Sequence, residues 1–93
     1  MSKNDEAPSG DGAGGVKPSR ASVGRLSLYL RRLENLLREG TTKVSSRLLG
    51  EALGVTDTQV RKDLAYLGNL GHPGIGYRID ELIDALRHIL GMG

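Results

Sequence analysis

Thr58, Gln59, Arg61 and Lys62 stand close together and have the side-chain types that read the edges of base pairs. Each residue of a helix turns by about 100°. At that step Val60, Leu64 and Leu67 share one side, and Thr58, Lys62 and Ala65 share the opposite one, flanked by Gln59 and Arg61. Arginine and lysine donate to guanine O6 and N7, and glutamine pairs with adenine. Ala65 adds no bulk, so a duplex could approach closely. A basic pair on a helix is more often an ordinary solvated charge. What favours a reading role here is position, early in the second helix of an expected helix-turn-helix.

A second group, Lys43, Ser45, Ser46 and Arg47, surrounds the expected start of another helix. Free backbone amides, the helix dipole and nearby hydroxyls together suit a phosphate oxygen. The serines can cap the helix and hold a phosphate at once. Arg31, Arg32 and Arg38 face solvent on the first helix and carry little weight as contacts. His72 is expected at the tip of a wing that also contains Gly74, Gly76 and Tyr77. Tyr77 could direct its hydroxyl to a phosphate, although a core role accounts for it equally well. Tyr29 and Tyr66 read as structural.

Other chemistries lack their residues. The chain has no cysteine and two distant histidines, which do not make a metal site. No histidine has a nucleophile and an orienting carboxylate beside it, so no enzyme activity is expected. A literal G-x-G-x-x-G at Gly10, Gly12 and Gly15 has no strand before it and no βαβ unit around it. It is discarded as a nucleotide site.

The elements that must position these residues follow from periodicity. Val23, Leu26, Leu30, Leu33 and Leu37 recur at steps of three and four, with Tyr29 and Leu36 widening the stripe. That pattern predicts a helix over 21–38, ended by Gly40. Residues 41–44 are β-prone. Ser45 and Ser46 offer caps for a short helix over 46–53, whose apolar residues are Leu48, Leu49, Ala52 and Leu53. Gly54 makes the turn, and Thr56 with Gln59 forms a capping box for a third helix reaching about Leu67. Gly68 to Gly76 carries four glycines and Pro73, and reads as a turn joining two short strands, the second over 75–79. Asp80 is expected to cap a final helix over 81–90. The order is helix, short strand, helix, helix, β-hairpin wing, helix: a mainly α (α+β) winged helix-turn-helix over 19–93. Residues 1–18, rich in Gly, Ser, Pro and Asp, are expected to be a disordered tail.

The chain of 93 residues suffices for one domain, with an aliphatic core free of Phe and Trp. Its formal net charge is only +2, but ten basic residues and four acidic ones lie between Lys17 and Lys62. A basic half suits a polyanion such as DNA. No apolar run approaches a membrane span and no signal peptide is visible, so no membrane partner is expected and a cytoplasmic location is the default.

Against these residues the chain resembles a known family. The segments Lys43-Val44-Ser45-Ser46, Leu53-Gly54-Val55, Gln59 to Gly68 and Gly71 to Tyr77, with the Arg-Leu-Ser-Leu-Tyr-Leu-Arg run at 25–31, are similar to the N-terminal domain of the bacterial redox-sensing repressor Rex. The resemblance spans about residues 20 to 90. It implies a winged-helix domain that binds an inverted-repeat operator in double-stranded DNA as half of a homodimer. By position, Arg61 and Lys62 would read the major groove, Lys43, Ser45 and Ser46 would hold phosphates, and the wing near His72 and Tyr77 would approach the minor groove. In the family a Rossmann domain follows, binds NADH or NAD+, and provides the main dimer interface. This sequence ends at Gly93, where that domain should begin. The expectation for the chain itself is therefore no cofactor and a monomer, or a weak dimer on DNA. Two departures stand out: His72-Pro73 where relatives carry a basic residue, and Ser27 where they carry proline.

A second reading, from a different class, is a winged-helix adaptor that docks a protein partner through its third helix. An apolar stripe on the outer face of that helix would favour it, and none is present in the sequence.

Overall fold

The computed structural model describes residues 17–71 and 76–92. Five elements carry the predicted helices and first strand: α1 (Arg20–Arg38), β1 (Lys43–Val44), α2 (Ser46–Leu53), α3 (Asp57–Leu64) and a 3-10 turn over Ala65–Leu67. β2 (Tyr77–Arg78) and α4 (Ile79–Ile89) complete the chain. This is a helical winged-helix domain with one small antiparallel sheet. Residues 1–16 of the expected tail and the wing tip at His72 and Gly74 lie outside the described residues.

α1 starts where the hydroxyl of Ser19 accepts from the Ser22 amide at 3.1 Å. It ends where Gly40 adopts φ +91° and the Thr41 amide reaches back to the Leu36 carbonyl at 3.0 Å. Its buried face consists of Ser22, Leu26, Tyr29, Leu30, Leu33 and Leu36. The expected stripe is therefore rotated: Val23 and Leu37, placed in it from spacing, are 37% and 44% exposed. The polar Ser22 and the hydroxyl-bearing Tyr29 take the inward side because they have a buried polar partner on α3.

α2 and α3 are joined as the sequence predicts. The Ser45 hydroxyl caps α2 through the Leu48 amide at 3.0 Å, and Gly54 closes it in the left-handed region. Gly50 lies against this turn, where a Cβ would run into the Val55 carbonyl oxygen. Thr56 caps α3 through the Gln59 amide at 3.1 Å. The reciprocal half of the capping box does not form, because the Gln59 side chain turns to Asp63 instead. α3 ends at Leu64, earlier than predicted, and the chain tightens into the 3-10 turn before Gly68 at φ +96°. Leu48, expected among the apolar residues of α2, is instead 48% exposed, and Leu49 supplies the buried contact.

The sheet also differs from the prediction. β2 pairs antiparallel with β1, in the register Lys43 with Arg78 and Val44 with Tyr77. Gly68 to Gly71 carry no strand. The second strand stops at Arg78, short of 79, because α4 begins at Ile79, two residues early; Ile75 lies outside the described residues. The Ile79 amide, which would be unpaired at a helix start, donates to the Thr42 carbonyl at 2.9 Å. Asp80 is thus inside the first turn, where its carboxylate accepts from the Glu81 amide at 2.7 Å and complements the helix dipole. Leu26, Leu30 and Leu33 of α1 meet Leu49, Val60 and Leu64 of the helix-turn-helix and Ile79, Leu82 and Leu86 of α4 in one core.

Candidate nucleic-acid interface

On α3 Val60 and Leu64 are buried and Thr58, Arg61 and Lys62 are exposed, as is Ala65 at the start of the 3-10 turn. The side assignment made from spacing therefore stands. Arg61 lies 3.4 Å from Asp57 one turn earlier, with both side chains open to solvent. Such an exposed pair is weak and exchanges readily for another anion. Among the described residues Lys62 has no ion-pair partner.

Gln59 departs from this arrangement. It is half-buried, and its Nε2 donates to the Asp63 carboxylate at 3.1 Å. Its amide therefore points along the helix toward the protein, not freely outward with Lys62.

At the β1–α2 junction Lys43, Ser45 and Arg47 are exposed and Ser46 is half-buried. Arg47 lies 3.3 Å from Glu51 across one turn of α2, again in an exposed pair. In the wing, Gly76 has φ +95°, and a Cβ there would stand 2.7 Å from the Val44 carbonyl oxygen. Only glycine lets β2 approach β1 so closely. The Tyr77 ring folds back onto the domain: a Cβ on Gly71 would come within 2.8 Å of its Cε2 and 3.2 Å of its hydroxyl. His72 and Gly74 fall outside the described residues.

The residue that inspection of the sequence missed is Asp63. Its side chain is 1% exposed. Arg25 grips it through Nε at 2.7 Å and a second guanidinium nitrogen at 3.0 Å, and the Tyr29 hydroxyl donates at 2.6 Å. The Ser22 hydroxyl stands 3.5 Å away. Burial alone would push the Asp63 carboxyl up. The hydrogen bonds from Arg25 and Tyr29, with the Arg25 charge and the Gln59 amide, instead hold it below the usual carboxylate range. Burial and the bond to Asp63 push the Tyr29 phenol upward, so it stays a donor. A signal existed: Asp63 sits three residues after Val60 and four before Leu67, on the inward side of α3. A carboxylate there requires buried donors.

No helix among the described residues is long and apolar enough to cross a membrane. The family model described as "Putative DNA-binding protein N-terminus" matches residues 17–65, just over half of the chain. The redox-sensing transcriptional repressor Rex of Carboxydothermus hydrogenoformans is 51% identical over 78 residues, which cover 84% of this chain and 38% of the relative. The Rex of Thermus thermophilus is 48% identical, over 83% of this chain and 36% of the relative. Among solved structures, RSP in complex with β-NAD+ and operator DNA matches with a TM-score of 0.75 and 43% identity, over 82% of this chain and 35% of that one. A second structure of RSP, described as a Rex-family repressor, matches with a TM-score of 0.71 and 42% identity, over 83% of this chain and 34% of that one. The chain thus spans between a third and two fifths of the length of these proteins. Together with the winged-helix architecture, these matches uphold the resemblance to the N-terminal DNA-binding domain of Rex repressors, and the chain belongs to the "Putative DNA-binding protein N-terminus" family.

Proposed function

We propose that this chain is the DNA-reading domain of a redox-responsive transcriptional repressor. The observation that carries the reading is the outer face of α3, where Thr58, Arg61 and Lys62 are exposed together on the second helix of a helix-turn-helix, with the small Ala65 exposed just past its end. In this reading Arg61 and Lys62 donate to base edges in the major groove, with Thr58 and the half-buried Gln59 beside them. Lys43, Ser45, Ser46 and Arg47 hold phosphates beside the groove. The wing, from His72 and Gly74 to Gly76 and Tyr77, lies along the minor groove. The similarity to RSP, solved with operator DNA, supports this placement.

The redox response belongs to a dinucleotide-binding part beyond these residues. RSP has been solved with both β-NAD+ and β-NADH, which supports that division of labour. The full repressor would bind an inverted repeat as a homodimer, one domain to each half-site. The adaptor reading is weaker. The large exposed hydrophobics of the described residues are Val23, Leu28, Leu37, Leu48 and Met92, and none is on α3.

The test begins by selecting duplexes from a random-sequence pool with the domain. Fluorescence anisotropy then compares the selected duplex with a scrambled one at two salt concentrations. Tighter binding of the selected duplex, weakening with salt, is expected. Absence of any selected sequence together with salt-independent binding would remove the proposal.

A further inference from the structure

Resting on the DNA-reading proposal, we infer that Asp63 is the positioning residue of the reading helix, fixing the rotation of α3 and the orientation of the Gln59 amide without touching DNA. Apolar packing of Val60 and Leu64 holds α3 on the core, but such contacts are non-directional and tolerate a slip. The bonds to Asp63 do not. Arg25 donates through two nitrogens at 2.7 and 3.0 Å, a planar fork whose geometry specifies orientation as well as distance. Tyr29 adds a third donor from the next turn of α1, at 2.6 Å. A carboxylate gripped from two successive turns of α1 leaves α3 one rotation. Lys62 is the adjacent residue, so its direction is set by the same grip.

Asp63 also decides what Gln59 offers. An amide side chain can be turned either way, but a carboxylate accepts only. Beside Asp63 the nitrogen end must face inward, as it does at 3.1 Å. The carbonyl Oε1 is then the uncommitted end, an acceptor suited to the exocyclic amine of adenine or cytosine. Asp63 thereby acts on sequence choice through Gln59 and Lys62.

Charge and positioning predict opposite outcomes when the carboxylate is removed. Asp63→Asn makes the domain one unit more positive, which by itself tightens binding to any duplex. Loss of positioning weakens binding to the preferred duplex alone. The experiment measures the ratio of affinities for the selected and scrambled duplexes, at a temperature where circular dichroism shows each protein folded. For Asp63→Asn the ratio is expected to fall on the order of tenfold, with scrambled DNA bound as well as by the parent or better. Arg25→Lys keeps the charge and removes the fork, and its ratio is expected to fall several-fold. If Asp63→Asn does not fold, Arg25→Lys decides. An unchanged ratio in a folded variant overturns the inference while leaving DNA reading intact. A parent that prefers neither duplex overturns the DNA-reading proposal, and this inference with it.

Discussion

Removing one oxygen atom, in Tyr29→Phe, isolates the energetic contribution of the buried cluster. The Tyr29 side chain is fully buried and its hydroxyl donates to Asp63 at 2.6 Å. Phenylalanine keeps the ring, so packing against the core is retained and no cavity of consequence opens. What is lost is a hydrogen bond to a charged acceptor, a class that contributes about 1.5–3 kcal/mol. Asp63 keeps the two nitrogens of Arg25 and the Gln59 amide, so its charge is not orphaned. The cost should therefore lie in the lower part of that range, about 1.5–2 kcal/mol. A domain of this size loses roughly 4–8 °C of melting temperature per kcal/mol, giving a fall of roughly 6–16 °C. Thermal unfolding followed by circular dichroism reads this directly. Tyr66→Phe is the control, since Tyr66 is half-buried with no side-chain hydrogen bond among the described residues. It should stay within about 0.5 kcal/mol of the parent. If Tyr29→Phe melts with the parent, the cluster does not hold α1 to α3.

Further expectations concern acid, groove, phosphate and turn. In the folded protein Asp63 binds its proton less readily than in the unfolded chain. Its stabilisation is therefore complete above the ordinary carboxylate range, near pH 4, and is lost as pH falls through its own lower pKa. Melting temperatures between neutral pH and pH 2.5 or so should fall less steeply for Asp63→Asn than for the parent; equal acid slopes would contradict this. Lys62→Ala should lower affinity for the preferred duplex by about 1–3 kcal/mol and relax sequence choice, as measured by repeated selection. Lys43→Ala should weaken binding to all duplexes alike and reduce the slope of log K against log salt by roughly 0.9. Gly50→Ala forces a Cβ onto the Val55 carbonyl, so the α2–α3 turn must shift, at about 1–3 kcal/mol in denaturant unfolding.

The sequence made some of this legible and left other parts hidden, for identifiable reasons. Local signals held where one short segment decides the outcome: the Ser45 and Thr56 caps, the left-handed Gly54 and the split of α3 into inward Val60 and outward Lys62. Signals that depend on partners distant in sequence did not hold as well. The buried face of α1 differs at Val23 and Leu37, which are exposed, and at Ser22, which is buried with its hydroxyl toward Asp63. α4 starts at Ile79 because Thr42, just before β1 and more than thirty residues earlier, supplies the carbonyl that its amide meets. Asp63 itself was hidden among charged neighbours in the Arg-Lys-Asp-Leu run. Its position on the inward side was readable, but its partners Arg25 and Tyr29 are on another helix. The Gln59 side chain fails to close its half of the capping box for the same reason: its partner is Asp63, one turn on, and not the Thr56 amide.

The central claim is that the outer face of α3 meets DNA. It is tested most directly by titrating isotope-labelled protein with the selected duplex and following backbone amide resonances. The account predicts the largest shifts at residues 57–62 and 43–47, with little change along α4. Shifts concentrated on α4 or on the solvent side of α1, with α3 unmoved, would contradict it.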